Sequence, residues 1–318
     1  MNTLHHPPKQ TAIIIGGGGL KVAGAFGALR VIEQERIPFD SMYCVSGGNS
    51  PGGLFLTNGG TTKPGEELWL DMMKDPSILF EYRNVLRMAL SPLKMPSLCT
   101  IGYLLVLVKT IDIPRLVSQP KRFVVSVTRV PSKKEIGQGV RLGTEYFATD
   151  DPEIQKNPDC LGWAIAASCS IVGVFEPVPI KYHGSWGRYI DGTYKCALPI
   201  KKAIEDGHDT IIVIRSHSNR IIKPYPEGWL DGLVYSTGIR HNEMEEEEIR
   251  LVRAEYPDVN LFVVEPDDFP ETLNTMSAQP SDFLEVMDHL ESVARRVCAP
   301  LIEYYRWQRR IGFEPFGL

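Results

Sequence analysis

Residues 12–19 read Ala-Ile-Ile-Ile-Gly-Gly-Gly-Gly, a mostly β-branched run that ends in four consecutive glycines. Such a run is typical of a short strand buried in a parallel sheet. From Leu20 to Arg36 apolar residues recur at helical intervals, and Pro38 follows soon after. The stretch therefore predicts a strand, a glycine loop and a helix.

The same unit is predicted a second time immediately downstream. Met42–Val45 indicates another short strand, residues 46–53 read Ser-Gly-Gly-Asn-Ser-Pro-Gly-Gly, and Leu54–Leu56 continues into a predicted helix. Of the 28 glycines, 12 lie between residues 16 and 60. This is about three times an even share, so the segment needs backbone that side chains would obstruct.

Further strands and helices alternate along the chain. The additional predicted strands are Phe123–Val127, Gly143–Ala148, Thr210–Ile214 and Leu261–Val264. This alternation predicts an α/β fold, a three-layer arrangement with a mostly parallel central sheet and helices on both faces. No break in composition divides the chain, so we expect a single domain over residues 1–318. Its core motifs lie in residues 11–215, and a strand and helical extension covers residues 216–318.

Charge and targeting signals narrow the class of partner and the location. The net charge of −5 and a pI near 5.9 offer no footprint for nucleic acid. Residues 1–11 lack the order of a classical signal peptide, and the apolar run Tyr103–Val108 is too short for a transmembrane segment. We expect a cytoplasmic protein or one peripheral at membranes.

The cysteines and acidic residues give no sign of a metal or cofactor. The six cysteines are scattered without a CxxC pair, which favours reduced core thiols over a zinc site. Residues 245–248 are four consecutive glutamates, which predict a solvated helix face, with metal binding as the alternative. We expect no metal and no cofactor.

Two turns rich in glycine could each serve a chemical purpose, and their spacing separates the options. The first fails the dinucleotide pattern G-x-G-x-x-G, because the sixth position is Lys21 or Val22. An oxyanion hole, in which backbone N–H groups hold a developing negative charge, remains open. The second turn, Gly48-Asn49-Ser50-Pro51-Gly52, matches the G-x-S-x-G pattern of serine nucleophiles, although a serine in an ordinary glycine turn is the alternative.

Together with Asp191-Gly192-Thr193, these motifs resemble the patatin-like phospholipase family, acyl hydrolases that use a Ser-Asp dyad. The resemblance covers about residues 11–215 and includes a similar segment over residues 167–178. It implies that Ser50 is the nucleophile and Asp191 the general base that accepts its proton. It also implies an oxyanion hole formed by Gly17, Gly18 and Gly19.

The resemblance further implies a phospholipid, lysophospholipid or other acyl-ester lipid as substrate, with peripheral membrane contact. Lys21 would orient the loop or a substrate phosphate, and a solvent-exposed lysine is the alternative. Three positions depart from the family pattern: Val22 and Thr193 replace smaller residues, and Pro51 has no N–H to donate after Ser50. The alternative function is therefore a catalytically weak or inactive lipid-binding or interaction protein.

Overall fold

The computed structural model describes residues 4–74, 105, 108–218, 229–267 and 279–312. The strands are β1 (Thr11–Ile15), β2 (Ser41–Val45), β3 (Arg122–Val130), β4 (Gly143–Ala148), β5 (Val178–Tyr182), β6 (Ser185–Asp191), β7 (Thr210–Ile214) and β8 (Asn260–Val264). The helices are α1 (Ala25–Gln34), α2 (Asn49–Thr57), α3 (Lys63–Lys74), α4 (Ile113–Val117), α5 (Lys133–Gly137), α6 (Pro152–Lys156), α7 (Asp159–Ser168), α8 (Ile200–Glu205), α9 (Trp229–Glu255), α10 (Pro280–Val297) and α11 (Ala299–Arg310). Short 3₁₀ turns cover Gly19–Gly24, Ser46–Gly48 and Gly192–Tyr194.

The central sheet has eight strands and is mixed. Its order is β5-β6-β3-β2-β1-β7-β8, and β4 also pairs with β3. The neighbouring strands β3, β2, β1, β7 and β8 run parallel to one another. In contrast, β4, β5 and β6 pair antiparallel with their neighbours. The predicted α/β class and mostly parallel sheet are confirmed, and the hairpin β5–β6 is an addition that the sequence patterns missed.

Alternating side chains of β1 show that helices cover both faces of the sheet. Ile13 and Ile15 belong to a core that includes residues of α1 and α10, whereas Ala12 and Ile14 belong to a second core with residues of α8 and α9. Every residue of β1 is buried, as expected for a central parallel strand. The three-layer arrangement is therefore confirmed.

Close packing of α10 on α1 depends on two glycines. A Cβ atom on Gly27 would lie 1.8 Å from the Met287 carbonyl oxygen, and one on Gly24 would lie 2.4 Å from Leu290 Cδ1. Only residues without a side chain allow these helices to approach so closely. In this way α10, in the C-terminal third of the chain, contributes directly to the core beside the glycine loop.

The pairing of β3 determines where the site forms. Along one edge of β3, β2 pairs with the first half and β6 with the second, so Val45 faces Ser126 and Asp191 faces Val127. On the opposite edge, β4 pairs with residues from both halves. The carboxyl ends of β2 and β6 therefore meet end to end, which places the residue after β2 beside Asp191.

Two expectations concern contact with a membrane. The apolar segment 98–108 is predicted to be a buried strand or helix, or else a mobile cap that touches lipid. Apart from Leu105 and Val108 it lies outside the described residues. Among the helices that the structure describes, none is long and apolar enough to cross a bilayer.

Candidate active site

Ser46 occupies the sharp turn between β2 and α2. Its φ of +52° lies in the left-handed region, which is unusual for a residue with a side chain, and only 6% of the residue is exposed. A Cβ on Gly47 would lie 2.9 Å from the Gly19 carbonyl oxygen, and one on Gly48 would lie 2.6 Å from the Gly16 carbonyl oxygen. The turn therefore requires glycines after Ser46, a geometry typical of a strand-to-helix nucleophile elbow.

The Ser46 hydroxyl is paired with the carboxylate of Asp191. Ser46 Oγ donates to Asp191 Oδ2 at 2.7 Å, and Asp191 is 1% exposed. The other oxygen, Oδ1, accepts from the Thr193 backbone N at 2.9 Å and from Thr193 Oγ1 at 2.7 Å. Both carboxylate oxygens are thus fixed, and Oδ2 is directed at the serine. Thr193, a departure from the family pattern, contributes a hydrogen bond that a smaller residue would lack.

Burial raises the pKa of Asp191 above its ordinary value. The hydrogen bonds from Ser46 and Thr193 and the nearby His241 oppose this rise without cancelling it. A carboxylate whose pKa is shifted toward neutrality is a stronger proton acceptor than an exposed one. The environment of Asp191 therefore suits a general base.

The backbone of Ser46 is held by side chains on both sides. Its N–H donates to Ser168 Oγ at 2.8 Å, and the Ser168 hydroxyl in turn donates to the Ser126 carbonyl at 2.7 Å. Asn49 Nδ2 donates to the Ser46 carbonyl oxygen at 2.8 Å. These bonds fix an unusual backbone conformation, so the orientation of the hydroxyl is preorganised.

Ser50 lies elsewhere, at the second position of α2. It is buried, and its Oγ accepts the indole N–H of Trp69 at 2.9 Å. Within the described residues, Asp191 has no hydrogen bond to Ser50. The structure does not bring the predicted pair Ser50 and Asp191 together; Ser46 takes the place beside the aspartate.

The sequence did contain a signal for Ser46, because it directly follows a β-branched strand residue and precedes two glycines. Ser46 does not match G-x-S-x-G, because Cys44 stands where that pattern has its first glycine. Because Ser46 rather than Ser50 lies beside Asp191, the N–H that Pro51 lacks no longer directly follows the candidate serine. The residue after Ser46 is Gly47, which has a backbone N–H, whereas Pro51 lies inside the first turn of α2, where proline is well tolerated.

The predicted oxyanion loop passes directly over Ser46. A Cβ on Gly17 would lie 2.9 Å from both Ser46 Cβ and Thr193 Cγ2, and Gly18 and Gly19 have positive φ values of +151° and +58°. Within the described part of the chain, the Gly17 and Gly18 N–H groups have no acceptor. The glycine loop therefore lies against Ser46.

Lys21 and Val22 follow in the 3₁₀ turn. Lys21 is partly exposed, and its backbone N donates to the Gly18 carbonyl at 3.3 Å. Its ammonium lies close enough to His217 to help lower the pKa of that imidazole. Val22, which replaces the family's glycine, is fully buried and would contact a Cβ on Gly47 at 3.2 Å. The valine thus packs in the core beside the elbow.

The acidic run of α9 is not a solvated face, and this prediction is wrong. Glu247 is exposed, but Glu245 is fully buried and accepts from Arg215 Nε at 2.8 Å. Glu248 accepts the backbone N–H groups of Ala197 and Leu198, and burial raises its pKa to about 8. Because α9 turns one face toward the sheet, residues three positions apart such as Glu245 and Glu248 point inward whatever their charge.

The serine elbow, the paired aspartate and the glycine loop on a mostly parallel sheet are the arrangement of an α/β acyl hydrolase. A family model of patatin-like phospholipases matches residues 13–204, so the chain belongs to this family. No curated protein matches the chain significantly. Membership supports a lipid acyl hydrolase in general terms.

Among solved structures of low sequence identity, one shares the fold, and two more are similar at lower TM-scores. Human GIVD cytosolic phospholipase A2 is 8% identical, with a TM-score of 0.50, over 94% of this chain and 60% of its own. VipD from Legionella pneumophila is 11% identical, with a TM-score of 0.43, over 94% of this chain and 67% of its own. The complex of SpcU with ExoU from Pseudomonas aeruginosa gives 16% identity and a TM-score of 0.33, over 94% of this chain and 53% of the other.

Proposed function

We propose that this protein hydrolyses acyl ester bonds of phospholipids or lysophospholipids with Ser46 as nucleophile and Asp191 as general base. The observation that carries the proposal is the 2.7 Å hydrogen bond from Ser46 Oγ to the buried Asp191 carboxylate, at a turn with positive φ. Ser46 replaces Ser50 in this role. No step of the chemistry requires a cofactor.

The first half of the reaction acylates the serine. Asp191 accepts the hydroxyl proton while Ser46 Oγ forms a bond to the ester carbonyl carbon. The carbonyl oxygen becomes an oxyanion, and the N–H groups of Gly17, Gly18, Gly19 and Gly47 are the proposed donors to it. The bond to the alcohol oxygen then breaks, and the leaving alcohol takes the proton from Asp191.

The second half releases the fatty acid. Asp191 accepts a proton from a water molecule, whose oxygen attacks the acyl carbon. As the tetrahedral intermediate collapses, Ser46 Oγ leaves and recovers a proton from Asp191. Thr193 keeps the carboxylate in one orientation through both halves, because it holds the oxygen that does not contact the serine.

Labelling with an alkyl fluorophosphonate tests the nucleophile, and the two serines form a matched pair. Wild type and Ser50→Ala should be labelled, whereas Ser46→Ala should not. Mass spectrometry of the labelled peptide should place the adduct on Ser46. Hydrolysis of a panel of acyl esters should follow the same order.

Two results would refute parts of this proposal. Labelling that persists in Ser46→Ala and disappears in Ser50→Ala would return the role to Ser50. A folded wild type that neither reacts with the probe nor hydrolyses any ester, with or without lipid vesicles, would favour the catalytically inactive lipid-binding protein. Peripheral membrane contact is a separate expectation, which cosedimentation with vesicles measures.

A further inference from the structure

Beside the glycine loop, three metal-ligating side chains converge. His217 follows β7, and His241 and Glu245 lie one turn apart on α9. Their exposed fractions are 9%, 7% and 0%, and one ligand atom from each lies within 4.8 Å of the other two. The cluster is thus an internal feature with a fixed geometry.

One side-chain atom of each of these residues has no geometrically aligned hydrogen-bond partner in the described part of the chain. These atoms are His217 Nδ1, His241 Nε2 and Glu245 Oε1. His241 Nε2 and Glu245 Oε1 approach to 3.3 Å, the distance of an ion pair when the histidine is protonated. Buried polar atoms are almost always satisfied, so three buried ligand atoms in one cluster, with His217 Nδ1 lacking any hydrogen bond in the described residues, indicate room for an ion.

A second layer of charges orients the carboxylate. Arg215 Nε holds the other oxygen of Glu245 at 2.8 Å, which turns Oε1 toward the imidazoles. The Arg215 guanidinium also contacts Glu246 and Glu265, so its charge is balanced without drawing on Oε1. Supporting contacts of this kind are typical of metal ligands.

We propose that His217, His241 and Glu245 bind a divalent transition-metal ion, with zinc as the best match. Two imidazole nitrogens and one carboxylate oxygen are a donor set that zinc favours, and hard cations such as Mg²⁺ prefer all-oxygen sites. A small inward shift of the side chains closes the site, because zinc ligands lie about 2.0–2.2 Å from the ion. This assignment does not depend on the proposed hydrolysis.

The three side chains of the site also lie against the glycine loop. A Cβ on Gly16 would lie 2.8 Å from Glu245 Oε1, one on Gly17 would lie 3.0 Å from His241 Cε1, and one on Gly18 would lie 3.2 Å from His217 Cε1. Each ligand therefore contacts one residue of the loop. Metal binding fixes all three contacts at once, and we expect it to reduce exchange of the loop amides with solvent.

Zinc titration of the full chain after chelator treatment tests the site, with bound metal counted per chain. Wild type should bind one zinc ion. His217→Ala and Glu245→Gln should weaken binding by about 100-fold or more, since even loss of a supporting residue costs 10–100-fold. His208→Ala is the matched control, because this buried histidine bonds the Ala203 carbonyl at 2.9 Å outside the cluster and should leave affinity unchanged.

A measurement on wild type guards against variants that fail to fold. X-ray absorption of the zinc-loaded or cobalt-loaded protein should show nitrogen and oxygen ligands only. Sulfur ligands would place the metal on a cysteine and overturn the proposal. A folded wild type that binds no zinc, or equal affinity in all variants, would overturn it too and leave a proton shared by His241 and Glu245 as the occupant.

Discussion

Replacing Gly17 by alanine is the sharpest test of the loop geometry, because the effect can be worked out from three distances. The new Cβ would lie 2.9 Å from Ser46 Cβ, 2.9 Å from Thr193 Cγ2 and 3.0 Å from His241 Cε1. No flexible side-chain end is available to give way on the Ser46 side, since the backbone of Ser46 is held by Ser168. The loop must therefore lift away from the serine.

Displacement of the loop should lower the rate of hydrolysis far more than it lowers the affinity for substrate. Loss of one oxyanion donor lowers kcat by about 100-fold to 1000-fold, equivalent to about 3–4 kcal/mol in the transition state. Overpacking of the loop should also lower the free energy of unfolding by about 1–3 kcal/mol. KM should change little, because the donors act mainly on charge that develops in the transition state.

The assay combines ester hydrolysis, the rate of fluorophosphonate labelling and thermal unfolding. Gly143→Ala is the matched control, because a Cβ there meets no atom within 4 Å. Full hydrolytic and labelling rates in Gly17→Ala, with the control equally active, would refute the reasoning. Such a result would mean that the loop does not present its amides to the reacting oxygen.

Three further predictions follow from buried polar groups. Because the pKa of Asp191 is raised, kcat/KM should rise with pH to a plateau whose midpoint lies above the ordinary carboxyl value of about 3.9; a midpoint below it would contradict the assignment. Glu248 has a pKa of about 8 in the folded protein, against an ordinary value of 4.5. The contribution of Glu248 to the free energy of unfolding is therefore full below its unfolded-state pKa and is lost as the pH rises through 8. Glu248→Gln should remove that part of the pH dependence of thermal unfolding, and an unchanged profile would count against it. Trp69→Phe should lower the unfolding free energy by about 1 kcal/mol through loss of its bond to Ser50, without loss of activity. A large loss of activity there would show that Ser50 contributes to catalysis.

The strands and the glycine turns could be predicted because they depend on local pattern. Ala12–Ile15 and Thr210–Ile214 are runs made mostly of β-branched residues, and a parallel sheet buries such runs on both faces. The hairpin β5–β6 was missed since Ser185–Asp191 is exposed over its first half and shows no apolar alternation. The antiparallel pairing of β6 with β3 depends on tertiary contacts, which no local sequence pattern encodes.

For the candidate site, the motifs indicated Asp191, the glycine loop and Ser50. In the structure Asp191 and Gly17 lie beside one serine, but that serine is Ser46. Both Ser46 and Ser50 follow β2 at short range, and only the three-dimensional turn decides which hydroxyl points at the aspartate. The burial of Glu245 could likewise not be predicted from the sequence, because its partner Arg215 is 30 residues away. The run of charges itself indicated a helix face exposed to solvent.

Because β2 and β6 meet end to end along β3, the activity proposed for Ser46 and Asp191 depends on the register of these strands. Ser46 follows a residue paired with Ser126, and Asp191 pairs with the next residue, Val127. A slip of β6 by one position would turn Asp191 to the opposite face of the sheet and leave the serine without a base. Fluorophosphonate reactivity during refolding would therefore report when these distant strands align. A chain with the right secondary structure but the wrong register would not react with the probe.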